Sequence, residues 1–474
     1  MPHSLVLTSE RFDLWDFQVN EVATRTRAIW ISARYLKNSF LPVNRLPPEV
    51  LGLIPSSLPS KRDLVNATAV CRHWRDVLLS SPDLWCDIDC SGNRGSIREY
   101  MFRECLGRSR TVPLNVRLTS VRYLPDITPH LPRLSTLEIE VVVQEQLGKI
   151  ASHFSEPAPN LWRLGISGVA PTQVGISIPL GLFGGDFASL RTLQLVGFSF
   201  LIVPQHFPHL TQFDVKSHVH AALRIDGVLD ALERMPSLEV LHLEFCPNHH
   251  PPSSSAPTRR SVTLPKLREV KLSSFGDPDA GRPAFTPPLL SALALPSAEQ
   301  ITIGVLPPTS SVVLPNSFEE QLPNFAETAT VDFFVGPEIL NILFYGLRGS
   351  RLLFTTSCRI HYPFLRNGFR GTPFLSVRKM TLNITSYIGL EEYILGLLRA
   401  LERLECLEIR GKHIRLLSLW SREIDQRSIC PSLQSLVVVK VPNDPVSGPL
   451  REFVITRKSH GVPLVEVVEV VSDG

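Results

Sequence analysis

Long apolar runs, paired cysteines and a strong charge of either sign are all missing from this 474-residue chain. No window approaches the roughly 18–20 apolar residues that a membrane-crossing helix needs, so no membrane partner is expected. The eight cysteines are scattered without a single Cys-x-x-Cys pair. That usage points to free thiols in a reducing compartment, cytosol or nucleus. A formal net charge of +3 leaves no electrostatic footprint for nucleic acid. The opening MPHSLVLTSERFDLWD has no basic stretch followed by an apolar run, which predicts no secretory leader. The Asn-x-Ser/Thr matches at Asn66 and Asn383 then read as chance.

Catalytic phrases are missing as well. There is no Gly-x-x-x-x-Gly-Lys-Ser/Thr, no His-Glu-x-x-His and no Gly-x-Ser-x-Gly. The glycine-rich GLFGGD at Gly181 lacks the lysine of a phosphate loop and reads as a turn. No enzyme and no cofactor are expected.

What the chain does hold is 43% hydrophobic residues and 40 prolines. Its length suggests roughly two to four domains, or one elongated repeat domain with an appendage. Residues 10–40 read as a helix. Phe12, Trp15, Val19, Val22, Thr26, Ile29, Ala33, Leu36 and Phe40 recur at alternating steps of three and four, the heptad seam of a coiled coil. Self-association through residues 10–40 is one reading. Packing of this helix on the following domain is the plainer one.

The next block is LPVNRLPPEVLGLIPSSLPSKRDLVNATAVCRHWRDVLLSSPDLW. Pro48 suits the first turn of a short helix, where its missing N–H costs nothing, and Glu49 suits the helix dipole. Ser60 with Asp63 three residues on predicts the start of a second helix. From there Leu64, Ala67, Cys71, Trp74 and Leu78 make one apolar stripe, and Pro82 marks the exit. Such a short helical block has too few large apolar side chains to be comfortable alone. A metal held by Cys71, His73, Cys86 and Cys90 could supplement it. On a continuous helix, however, His73 would project about 160° from the middle of the stripe that carries Cys71. A partner protein is the better supplement.

These residues resemble an F-box. The family pattern is met at Leu46, Pro47, Glu49, Val50, Leu51, Ile54, Leu58, Asp63, Leu64, Val70, Cys71, Arg72, Trp74, Leu84 and Trp85. Pro55 stands where the family usually has Phe, and is expected to end the first helix early. The upstream helix and the LPVNRLPPE junction look like F-box families of mushroom-forming fungi. The resemblance implies docking on the Skp-type adaptor of a Skp–cullin–F-box ubiquitin ligase. The implied contact set is Leu46, Pro47, Pro48, Val50, Leu51, Ile54, Leu58, Leu64, Val70, Cys71, Trp74, Leu84 and Trp85.

From Leu131 onward a Leu-x-x-Leu-x-Leu phrase recurs, with its first leucine at Leu134, Leu161, Leu190, Leu210, Leu238 and Leu267, then at Leu404 and Leu433. Weaker copies begin at Leu295, Phe374 and Leu401. This is the leucine-rich-repeat phrase, whose Leu-x-Leu segment is a short strand with period-two burial. Each repeat exposes an apolar face that only its neighbours can cover. The Asn/Cys position after the strand is Cys only at Cys246. Elsewhere it is Val142, Val169, Phe198, His218, Phe275, Lys412 or Val441. An irregular solenoid without asparagine ladders is expected. Between Ile303 and Val377 the phrase nearly vanishes, with TATVDFF and SRLLFTT as two decayed copies. Polar loops interrupt the array, and His249 and His250 in the first of them read as solvated.

The fold class expected is α+β: a small all-helical F-box preceded by a long helix, then an irregular α/β leucine-rich-repeat-like solenoid. The boundaries expected are 1–42 for the helix, 43–90 for the F-box, 91–130 for a connecting segment and 131–471 for the solenoid. Loops are expected at 246–262, 275–290 and 304–317. Period-two geometry turns Glu138, Glu140, Arg163, Gln194, Asp214, Lys216, His242, Glu244, Glu269, Lys271, Glu408 and Arg410 outward as a candidate target-binding face. The function expected is a non-enzymatic substrate adaptor, with a ligase-free interaction scaffold as the alternative.

Overall fold

The computed structural model describes residues 9–57, 61–90, 99–141, 144–168, 181–197, 207–217, 225–245, 260–275, 286–306, 322–325, 330–335, 339–357, 376–384, 394–395, 398–399, 401–411, 414–422, 429–440, 447–462 and 464–471. Helices and a large, mostly parallel sheet make it a mixed α+β structure. The chain divides into two compact units, Met1–Arg117 and Leu118–Gly474. That division falls inside the segment expected to be a connector. Among the described residues no helix is long and apolar enough to cross a membrane.

The first unit begins with α1 (Ser9–Ser39), followed by a 3-10 turn at Pro42–Arg45. Then come α2 (Pro48–Ser56), α3 (Lys61–Thr68) and α4 (Arg72–Ser80). A second 3-10 turn, Pro82–Trp85, leads to β1 (Asp87–Asp89), α5 (Glu99–Arg108) and β2 (Leu114–Leu118). β1 and β2 pair in parallel, Ile88 beside Val116. The core of this unit gathers Leu51, Leu64, Val77, Leu78, Trp85 and Phe102. Trp85 donates its indole N–H to the Leu78 carbonyl at 2.8 Å, so its polar edge is satisfied inside that core.

α2 ends at Ser56, one residue beyond Pro55. One expectation is corrected here. The stripe from Leu64 to Leu78 is not one helix. It breaks after Thr68, and Cys71 is extended at φ −158°, outside both helices. The chain there (Val65, Asn66, Thr68, Val70) is rich in β-branched and turn-forming residues, which hold a helix poorly. Short-range bonds Ala69 N–H to Asn66 O and Val70 N–H to Ala67 O close the turn instead.

The second unit is built on strands β3 (Leu134–Val141), β4 (Arg163–Gly168), β5 (Thr192–Val196), β6 (Gln212–Ser217) and β7 (Val240–Phe245). β8 (Val262–Thr263), β9 (Glu269–Phe275), β10 (Leu293–Ala294) and β11 (Gln300–Leu306) follow. After them come β12 (Thr330–Val335), β13 (Ile339–Tyr345), β14 (Arg351–Ser357) and β15 (Lys379–Ile384). The last are β16 (Cys406–Gly411), β17 (Ser435–Lys440) and β18 (Glu466–Val471). Each copy of the repeated phrase lands on a strand. From β3 the order in the sheet runs β3-β4-β5-β6-β7-β9-β11-β14-β13-β12-β15-β16-β17-β18, while β8 and β10 form a small parallel pair.

The local cause recurs from one described corner to the next. Before the strand, the amide of the first leucine position donates to the carbonyl three residues back, as in Leu161 to Ala158, Leu190 to Phe187, Leu238 to Met235 and Leu433 to Cys430. The strand then buries alternate residues, such as Leu137 and Ile139 on β3 and Leu241 and Leu243 on β7. Side chains at the corner reach the preceding corner: Asn160 Nδ2 donates to Pro132 O at 2.6 Å, and Ser297 Oγ to Pro265 O at 2.6 Å. Ser189 makes the same bond to Pro159 O. These polar bonds join corner to corner before the strand; of the Asn/Cys positions after the strand only Phe275 lies among the described residues.

Both decayed copies are strands, β12 and β14. Between them lies β13, which the phrase does not reveal and which runs antiparallel to both neighbours. All three expected loops overlap regular structure: β8 begins at Val262, β9 ends at Phe275, a helix occupies Thr286–Ser291, and β11 continues to Leu306. Most of their remaining residues, His249 and His250 among them, lie outside the described residues.

Candidate protein-docking faces

α2 presents two unlike sides. Leu51 is fully buried against the other short helices, whereas Val50, Leu53 and Ile54 are 42%, 66% and 38% exposed. Those three stand at i, i+3 and i+4, one continuous side of a helix. Pro47 and Pro48 are exposed at its start, and Val70 is exposed in the turn between α3 and α4. Leu53 was missed in reading the family pattern, although its spacing from Val50 is the signal that marks it.

The other predicted contact residues lie elsewhere. Leu64, Leu84 and Trp85 are buried in the unit's own core. Leu46 is half-buried at the end of the Pro42–Arg45 turn. Cys71 and Trp74 are half-buried against that turn: Trp74 Nε1 donates to Asn44 Oδ1 at 2.8 Å, and Cys71 Sγ lies 3.9 Å from the same oxygen. Asn44 in turn donates from Nδ2 to Asn38 O of α1 at 2.7 Å. Leu58 lies outside the described residues.

Among the described residues no group of three His, Cys, Asp or Glu side chains is arranged to hold a metal ion. Burial pushes the Cys86 thiol up, and raises the Cys105 thiol to about 11. Both thiols are protonated near neutrality and poor ligands in that state.

On the sheet of the second unit, the register brings the predicted outward residues into rows. Glu138, Gly165, Gln194, Asp214, His242 and Lys271 lie side by side across β3 to β9. Glu140, Lys216 and Glu244 fall in the row after it, and Arg163 and Glu269 in the row before. Glu408 and Arg410 stand on β16, opposite Thr381 and Asn383 of β15.

Most of these charges answer one another. His242 bridges two carboxylates, with Nδ1 2.6 Å from Asp214 and Nε2 3.0 Å from Glu269. Gln212 Nε2 donates to the second Asp214 oxygen at 2.8 Å. Arg163 pairs with Glu138 at 3.3 Å, Lys216 with Glu244 at 3.7 Å and Arg410 with Glu408 at 2.6 Å. The hydrogen bond to Asp214 raises His242 above the ordinary histidine value; burial opposes this and Glu269 adds to it. Burial works to raise Asp214, but hydrogen bonding and charge from His242 outweigh it and leave that carboxyl depressed. Across β14, β13 and β12 the face turns more apolar, with Leu353 beside Leu343 and Phe334 40% exposed.

Residues 43–91 match the family model described as F-box-like. The chain carries an F-box-like domain. The match spans α2, α3, α4, the Pro82–Trp85 turn and β1, so the exposed side of α2 belongs to the F-box-like domain and the charged rows do not. F-box proteins act in general as adaptors rather than enzymes.

Proposed function

We propose that the chain is the substrate-selecting subunit of a Skp–cullin–F-box type ubiquitin ligase. The observation that carries this is the F-box-like match at 43–91 over a helix whose Val50, Leu53 and Ile54 face outward. A Skp-type adaptor covers that side and links the chain to a cullin. The unit from Leu118 onward holds a protein target. Holding the target near a ubiquitin-charged partner raises the effective concentration of its lysines, so the chain needs no chemistry of its own.

The second unit is a leucine-rich-repeat-like solenoid in this account. Parallel strand order and one strand per repeated phrase support that reading. Its outward rows, mixed in sign and mostly self-paired, suit a protein target better than an anionic polymer. The resemblance to fungal F-box families and the free-thiol cysteine usage favour a fungal protein acting in cytosol or nucleus.

The test is co-expression of the full chain with a tagged Skp-type adaptor. Recovery of a stoichiometric complex that also retains a cullin is the expected result. A chain that purifies well yet never associates with the adaptor would leave only the ligase-free scaffold.

A further inference from the structure

α1 is a 31-residue helix, about 46 Å long at 1.5 Å per residue. From Phe17 onward its half-buried residues, Ile31 and Asn38, lie on one side, and Asn38 is the residue that Asn44 grips. The heptad seam lies on the other side, about 170° away at 100° per residue. There Val19, Val22, Ile29, Leu36 and Phe40 are between 49% and 70% exposed. From Val19 to Phe40 the seam is therefore open to solvent and not packed on the following helices, which was the plainer expectation. Thr26, the one polar seam residue, has its hydroxyl satisfied by the Val22 carbonyl at 2.8 Å, so burying it would orphan no donor.

Charge is segregated along the helix. Glu10, Asp13, Asp16 and Glu21 occupy its first half, and Arg25, Arg27, Arg34 and Lys37 its second, with Arg11 the exception. Two copies side by side in the same direction would lay acidic half along acidic half and basic along basic, with Arg11 beside Asp16 of the second copy the exception. Reversed, each acidic half meets a basic half.

We propose that α1 is a self-association surface through which two copies of this chain pair as an antiparallel coiled coil. Heptad geometry allows registers seven residues apart, and the charge match between positions 16 and 37 selects one of them. Val19 packs against Leu36 of the second copy, and Thr26 against Ile29 of the second copy. In that register position 16 stands beside position 37, an Asp beside a Lys, and position 23 beside position 30, an Ala beside a Trp. Both pairs lie on one flank, one matched in charge and one in size, and the other flank sets Gln18 beside Ser39 and Arg25 beside Ser32. An alternative occupant, a helix of some other protein, would leave the match between the two halves of α1 without a purpose.

The experiment measures the mass of the purified full chain by light scattering over a range of micromolar concentrations. A mass of two chains is expected. Ile29→Asp is expected to return the chain to one, with far-UV circular dichroism unchanged because Ile29 is exposed. Asp16→Lys weakens the pairing at least tenfold, and adding Lys37→Asp restores it, since each copy then carries the reversed pair. In a parallel pair these two positions lie about 30 Å apart, and no rescue occurs. A monomeric wild type, a dimer indifferent to Ile29→Asp, or a double charge swap without rescue would each overturn the proposal.

Discussion

Trp74 of α4 donates its indole N–H to Asn44 Oδ1 at 2.8 Å, thirty residues earlier in the chain. This bond ties the F-box-like helices to the turn that follows α1, so a residue matching a docking pattern works first as an internal clamp. Trp74→Phe keeps most of the packing and removes the donor. It is expected to cost about 1 kcal/mol, read by hydrogen exchange across residues 42–80, while leaving adaptor affinity close to wild type.

Leu51 and Ile54 separate stability from docking on one helix. Leu51→Ala empties a fully buried position and is expected to cost about 2–5 kcal/mol in urea unfolding. Ile54→Asp changes an exposed position, and stability should stay within about 0.5 kcal/mol. Adaptor capture should nevertheless be lost with Ile54→Asp, and equal stability losses in the two variants would contradict the division.

The Asp214–His242–Glu269 bridge gives the second unit a signed dependence on pH. His242 is raised in the folded state, so its contribution is full below the ordinary value of 6.5 and fades as pH rises through the higher folded value. Asp214 is depressed, so its contribution is present above 3.8 and fades as pH falls through the lower folded value. His242→Gln should therefore destabilise the unit more at pH 6 than at pH 8.5 in thermal unfolding. An equal penalty at both would show that the bridge holds no charge.

Arg457 is fully buried and forks onto three carbonyls: Ile429 and Cys430 at 3.1 Å, and Val462 at 3.3 Å. Its guanidinium also lies over the Trp420 and Phe453 rings. Arg457→Met orphans those acceptors and is expected to cost about 3 kcal/mol. Arg457→Lys should not recover it, because an ammonium lacks the planar fork. Differential scanning calorimetry would report both.

Strand positions were legible where burial repeats with period two. The Leu-x-x-Leu-x-Leu phrase located β3 to β7, β9, β11 and β15 to β17, and the outward rows follow from it. β13 was not legible, because an antiparallel strand needs no corner and so lacks the phrase's first leucine. The break at Cys71 was hidden because stripe counting assumes one helix, and only local propensity at Val65 to Val70 argued against it. In the F-box-like domain the pattern found the helices but mixed two roles. Leu64, Leu84 and Trp85 specify the core, while Val50 and Ile54 face out beside Leu53, and the family pattern records the core residues and the first two outward ones alike.

Isothermal titration of purified Skp-type adaptor into the full chain, with Val50→Asp as the paired variant, reads whether an adaptor covers the exposed side of α2. Saturable one-to-one binding that Val50→Asp abolishes without unfolding the chain is expected. No heat of binding from a folded wild type, or equal affinity for the variant, would contradict it.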